Sequence, residues 1–212
     1  MTINNNNLKL ILSNLRNYNY VKLLIVTKNQ KIEDIYDLVS RGYSCFGENR
    51  VQEAKLKYDK LIEDNSNIRL HLIGPLQRNK IKDALKIFNI IQTIDRIPLV
   101  DEISKKIENS DNIKTKEFYI QVNIGNESQK SGVKKENIQK LYNYSLKKNL
   151  NITGLMCIPP NTNDTSIYFS EMLDIRNKIN KNLKLSMGMS NDYQTALKFQ
   201  TDIIRIGSMI FQ

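Results

Sequence analysis

Apolar, β-branched runs alternate along this chain with segments in which apolar residues recur every three or four positions. The runs are Val21 to Thr27, Cys45-Phe46, Leu70 to Ile73, Ile90 to Ile94, Phe118 to Ile124, Ile152 to Ile158, Leu183 to Met187 and Ile203 to Ile206. They are continuous rather than alternating and are bounded by polar residues, which predicts parallel strands buried on both faces. Between them, Ile32/Ile35/Tyr36/Val39, Val51/Ala54/Leu56, Ile81/Ala84/Leu85, Leu99/Ile103/Ile107, Ile138/Leu141/Tyr142, Phe169/Met172/Ile175/Ile179 and Tyr193/Ala196/Leu197 predict helices. An amphipathic opening (Leu8, Leu10, Ile11, Leu12, Leu15) makes residues 1–20 a helical lead-in.

That is about eight β-then-α units with no strand pair close enough for a hairpin, so helical crossovers join parallel strands. So many units in one domain favour a closed (β/α)8 barrel, with an open doubly wound sheet as the alternative. The 212 residues contain no Pro/Gly/Ser-rich linker, and 1–212 reads as a single domain. No GxGxxG or GxxxxGK[ST] stands at a strand-to-helix turn, which removes the usual ground for a dinucleotide or nucleoside triphosphate.

Composition narrows the choice of partners. The net charge of +10 would fit a polyanion, but lysine and asparagine are spread along the chain, which favours a dispersed, solvated basic surface over specific nucleic-acid binding. Cys45 and Cys157 lie far apart in apolar stretches, as expected of buried thiols in a reducing compartment. The single histidine, His71, makes a histidine-based metal site or a Ser-His-Asp triad hard to build. Neither a signal peptide nor a membrane-length apolar run is evident, so a cytoplasmic protein that does not engage membrane is expected.

The candidate chemistry lies just after the strands, the face on which barrels build their sites. Polar and glycine-containing clusters recur there: Thr27-Lys28, Gly47 to Arg50, Gly74 to Gln77, Asp95-Arg96, Asn123, Met156 to Pro159, Ser186 to Asp192 and Arg205 to Ser208. An amine such as Lys28, partly desolvated at a strand end, is freed to attack a carbonyl; a solvated loop lysine fits the same position. Ser190-Asn191-Asp192, opening the helix Tyr193 to Phe199, together with Gly207-Ser208 after the last strand, could grip a phosphate. Equally, Ser190 could cap its helix and Gly207 turn the chain. With Lys28 on the same face, pyridoxal phosphate (PLP) fits, its aldehyde at the amine and its phosphate at Ser190, Gly207 and Ser208. Arg205 would meet the pyridine ring. An always-charged arginine favours an unprotonated ring nitrogen, a weak electron sink suited to storage rather than transamination.

Taken together, Val26-Thr27-Lys28, the Phe46 to Glu53 block FGENRVQE, the His71 to Lys80 block HLIGPLQRNK, Lys130-Ser131-Gly132, the SMGMS block from Ser186 to Ser190, and Ile204 to Phe211 resemble the pyridoxal phosphate homeostasis proteins. Their fold is similar to the barrel domain of alanine racemase. The resemblance implies that Lys28 forms the internal aldimine, Arg205 faces the pyridine nitrogen, Ser190, Gly207 and Ser208 bind phosphate, and Asn49 lies near the ring. It also implies a protein that holds and buffers PLP with no strong turnover, a likeness of role extending to PLP-dependent apoenzymes as recipients and to a monomer. Three positions depart from the family's pattern. Thr27 replaces the usual serine, Gln30 replaces a common lysine, and the chain ends at Gln212, where relatives continue into a short tail.

Three other readings stand beside this one. A PLP-dependent amino-acid racemase or lyase would need a second acid/base opposite the lysine, and no tyrosine sits obviously at a strand end. A Schiff-base aldolase acting on a phosphorylated sugar would use the same lysine and phosphate grip. A nucleic-acid binder rests on charge alone.

Overall fold

The computed structural model describes residues 3–211; Met1, Thr2 and Gln212, and with Gln212 the expectation about the chain's end, lie outside the described residues. Helix α1 (Asn5–Leu15) precedes strand β1 (Lys22–Val26), followed by α2 (Ile32–Ser40), β2 (Cys45–Glu48), α3 (Val51–Asp64), β3 (Arg69–Leu72), α4 (Ile81–Ile87) and β4 (Ile90–Ile94). The second half continues with α5 (Ile97–Glu108), β5 (Glu117–Val122), α6 (Ile138–Lys147), β6 (Ile152–Cys157), α7 (Ser166–Ile179), β7 (Lys184–Ser186), α8 (Tyr193–Leu197) and β8 (Ile203–Ile206). All neighbours pair in parallel, and β8 returns to β1 through Lys22↔Ile203 to Ile25↔Ile206, closing the barrel. The doubly wound alternative is thereby set aside.

The apolar pattern explains this arrangement. Outward-facing strand residues such as Ile25, Phe46, Leu70, Ile91, Ile120 and Leu155 meet the buried stripes of the helices, including Ile35 and Leu38 of α2 and Leu99 and Ile103 of α5. Each such side chain, fully removed from water, contributes on the order of 1.5–3 kcal/mol. Inside the ring, Leu24, Ile90, Tyr119, Met156 and Ile203 form a smaller apolar cluster. Helix α2 ends as its sequence dictates: Gly42 at φ +89° lets its own N–H reach Val39 O and the N–H of Tyr43 reach Leu38 O, closing the last turn. Helix α1 lies against the chain's other end, where Asn4 N donates to Ile210 O and Asn7 Nδ2 to Met209 O, each over 2.8 Å.

Most strands fall on the predicted runs, and the differences have local causes. β2 extends through Gly47 and Glu48 because these residues pair with His71 and Leu72 of β3. β5 stops at Val122 because the Asn123 side chain turns back to hold Glu127, accepting from its N–H over 3.0 Å and donating to its carbonyl over 2.7 Å. α8 ends at Leu197, short of Phe199.

Candidate functional site

At the C-terminal ends of the strands a cavity of about 540 Å³ is lined by Lys28, Asn49, Ser190, Arg205, Gly207 and Ser208. All six candidate residues therefore face one space. Gly74 and Pro75 after β3 and Ile158 after β6 join them, so most of the strand-end clusters converge as expected. Two do not. Asp95 and Arg96 pair with each other at 2.5 Å beside α5, and Asn123 is spent on its own loop.

Lys28 is exposed at the cavity mouth, which corrects the expectation of a partly desolvated amine: the strand has already ended, and the side chain projects from the loop. Among the described residues no ion pair or hydrogen bond occupies its Nζ, and the Gln30 amide reaches only the Lys28 carbonyl, at 3.4 Å. What fixes Lys28 lies behind it. Thr27 points out of the barrel, fully buried, donating to Glu48 Oε1 over 2.7 Å and accepting from the Tyr58 hydroxyl over 2.8 Å. Lys57 of α3 donates to the Thr27 carbonyl at 2.7 Å and to Glu48 Oε1 at 3.2 Å, and pairs with Glu53 at 2.5 Å. Burial pushes the Glu48 carboxyl above the usual carboxylate range, against the downward pull of the Thr27 hydroxyl and Lys57. Among the described residues its Oε2 has no hydrogen-bond partner.

At the end of β8, the strand paired with β1, the Ser208 hydroxyl donates to Ser190 Oγ over 3.1 Å, and Met209 N donates to the same oxygen over 3.4 Å. Ser190 is thus not the helix cap; Asp192 occupies that position, its carboxylate turned back to the N–H of Met189 at 2.6 Å. Gly207 lies tight against β1, where a Cβ would come within 3.0 Å of the Val26 carbonyl, so the lack of a side chain lets the chain after β8 pack on the end of β1. Arg205 is 3 % exposed at the cavity floor. Its Nη1 donates to Ser186 O (2.6 Å) and Ser186 Oγ (3.0 Å), and its Nη2 to Cys157 O (2.8 Å). Burial lowers its pKa from the usual arginine value, against the upward pull of the Asp192 carboxylate, and among the described residues no carboxylate forms an ion pair with it.

Sequence reasoning missed several lining residues: Val26, Ile73, Gln121 and the loop after β5 with Gln129, Lys130 and Ser131. This loop folds back on the barrel through the Val122↔Val133 bridge, and Lys130 is held at the rim by Glu127 (2.5 Å) and Pro159 O (3.0 Å). The quoted Lys130-Ser131-Gly132 motif was the available signal. A second cavity, also about 540 Å³, opens at the opposite end, lined by Lys22, Cys45, Arg69, Glu117 and Lys184 where the strands begin. It has neither a serine pair nor a close-packed glycine turn, and its Lys184 is paired with Glu117 at 3.2 Å, so the strand-end cavity is the candidate site. Both cysteines are free, their thiols pushed up by burial to about 11 for Cys45 and about 12 for Cys157. Among the described residues no cluster of His, Cys, Asp and Glu is placed to hold a metal, and no helix is long and apolar enough to cross a membrane.

A closed parallel barrel with an amine after the first strand and a hydrogen-bonded serine pair after the last two defines a class, and comparison agrees. Residues 4–212 match the family model described as alanine racemase, N-terminal domain. The chain is 36% identical over 205 residues to the pyridoxal phosphate homeostasis protein of Aquifex aeolicus, spanning 92% of this chain and 88% of that one. It is 34% identical over 206 residues to that of Haemophilus influenzae, spanning 92% and 86%. The chain belongs to the pyridoxal phosphate homeostasis protein family. Among solved structures it is similar to PipY of Synechococcus elongatus without PLP (TM-score 0.87) and with PLP bound (0.83), each 27% identical and covering 98% of this chain and 99% of that one. Alanine racemase from Acinetobacter baumannii shares the fold, with a TM-score of 0.74 at 16% identity over 98% of this chain and 61% of that one.

Proposed function

We infer that this protein holds PLP through Lys28 and serves intracellular PLP homeostasis as a single-domain cytoplasmic monomer without strong turnover, PLP-dependent apoenzymes being the recipients. One observation supports this most: Lys28, Arg205 and the hydrogen-bonded Ser190–Ser208 pair line one cavity. Residues and cofactor are matched in chemistry. A dianionic phosphate suits two hydroxyls and a close-packed glycine, while a buried guanidinium without a paired carboxylate suits a neutral ring nitrogen that accepts a hydrogen bond. When bound, PLP supplies an aldehyde that condenses with the Lys28 amine, releasing water. Asn49, half-buried after β2, walls the cavity on the side of Lys28 away from β8.

Two features support weak turnover. Arg205 cannot hand a proton to the ring nitrogen under working conditions, and none of the tyrosines lines the cavity to act as the second acid/base of a racemase. The test is the visible spectrum of purified wild type beside Lys28→Ala. A yellow wild type and a variant lacking that band are expected; matching spectra refute Lys28 as the attachment point. Incubation of PLP-loaded protein with alanine, following chirality and keto acid, addresses the racemase alternative, and turnover well above that of free PLP would favour it.

A further inference from the structure

Arg205 begins a line of hydrogen bonds that crosses the barrel interior to its opposite end. From Arg205 Nη1 the line passes to Ser186 Oγ (3.0 Å), from Ser186 to Gln92 Oε1 (2.7 Å), from Gln92 Nε2 to His71 Nδ1 (2.8 Å), and from His71 Nε2 to Cys45 Sγ (3.7 Å). Its members come from β8, β7, β4, β3 and β2 in turn. Arg205, Ser186, Gln92 and His71 are each 3 % exposed or less.

Proton accounting permits one direction. A guanidinium has only donors, so Ser186 Oγ accepts from Arg205 and its own proton is left for Gln92. The only acceptor on Gln92 is its amide oxygen, which turns the amide nitrogen toward His71. His71 Nδ1 must then carry a lone pair, and the ring proton sits on Nε2, facing Cys45. Turning the Gln92 amide over would leave the buried Ser186 proton without an acceptor, at a cost of about 1–3 kcal/mol. Burial pushes the His71 pKa down to about 3, so the ring stays neutral and Nδ1 keeps its lone pair.

We propose that Ser186, Gln92 and His71 are positioning residues, forming a proton-ordered relay that fixes the plane and the charge of Arg205 beneath the cavity. Every donor in the relay points away from Arg205, so each bond presents its negative end toward the guanidinium, adding to the more distant charge of Asp192. Ser186 and Cys157 hold three of its N–H groups, leaving Nε–H and one Nη2–H. The relevance of this to the cofactor rests on the reading that the cavity takes PLP; the relay itself is a property of the protein alone.

His71 is the chain's single histidine, so its ring nitrogens report the relay in a ¹⁵N NMR spectrum without ambiguity. In cofactor-free wild type the neutral Nε2–H form is expected; the Nδ1–H form overturns the proposal. Gln92→Glu replaces the donor facing Nδ1 with an acceptor, so the ring proton should move to Nδ1; an unchanged tautomer overturns it. Ser186→Ala should shift the Nδ1 signal from two bonds away, and no shift counts against the relay. Each variant removes a different bond, and the wild-type tautomer needs no variant at all. With PLP added, the His71 signals should move in wild type and stay fixed in Ser186→Ala; signals that do not move in wild type, in a sample whose spectrum shows PLP bound, overturn the link to the cavity. Absence of bound PLP would instead refute the cofactor reading, leaving the cofactor-free result standing.

Discussion

Ser208 donates its hydroxyl hydrogen to Ser190 across 3.1 Å, tying the loop after β8 to the loop after β7. The pair is joined before any ligand arrives, so little ordering is required when a phosphate binds. On the proposal that this pair receives the phosphate, Ser208→Ala removes one hydrogen bond to an anion, worth about 1.5–3 kcal/mol, and should weaken PLP binding by about tenfold or more. Fluorescence titration with PLP and with pyridoxal, which lacks the phosphate, provides the check: the variant should lose affinity for the first and not for the second.

Lys57 sits on the outer side of the wall from Lys28 and holds the Thr27 carbonyl at 2.7 Å. Lys57→Met leaves the buried Glu48 carboxyl without its cation, a change expected to cost about 3 kcal/mol in urea unfolding. PLP retention should fall as well, since the residue before Lys28 loses its anchor. Full stability in this variant would show the pair to be dispensable.

His71 gives stability a pH dependence of definite sign. Its ordinary value is 6.5 and burial lowers it to about 3, so the unfolded chain takes up the proton first as pH falls. The stability it confers is complete above 6.5 and is lost progressively down toward about 3. Between about pH 7 and about pH 5 the loss should be about 2 kcal/mol. Urea unfolding of wild type and His71→Gln at both pH values isolates it as the difference in slope, and equal slopes would contradict a buried neutral ring.

Gly74 is required by close approach of two loops. A Cβ there would stand 2.2 Å from the Asn49 backbone oxygen, and backbone cannot yield as a side chain does. Gly74→Ala should lower stability by about 1–3 kcal/mol and displace Asn49 from the cavity wall, seen as a lower melting temperature and faster loss of PLP on gel filtration.

The fold was largely legible because buried parallel strands are uniform apolar runs; β4 and β8 coincide with Ile90 to Ile94 and Ile203 to Ile206 to the residue. The candidate site was legible because strand ends carry glycines and polar residues, which marked Lys28, Asn49, Ser190, Arg205, Gly207 and Ser208. The same rule overreached at Asp95-Arg96, where two opposite charges satisfy each other, and at Asn123, whose amide serves its own loop. The interior relay was hidden because its members stand singly within apolar strands. Gln92 in the middle of Ile90 to Ile94 is a polar break that the pattern shows, but nothing in the sequence says that it faces His71 and Ser186. The exposure of Lys28 was also unreadable, since it depends on where β1 lets the chain go.

The return of β8 to β1 has a further consequence. A ring of strands has no terminal member, so no row of unpaired N–H and C=O groups is presented to another chain. An open sheet that lost a bound group beside its edge could recruit a neighbour by strand addition. Here, a vacated cavity uncovers side chains and loop backbone but no sheet edge, so that route to assembly is closed to the empty form.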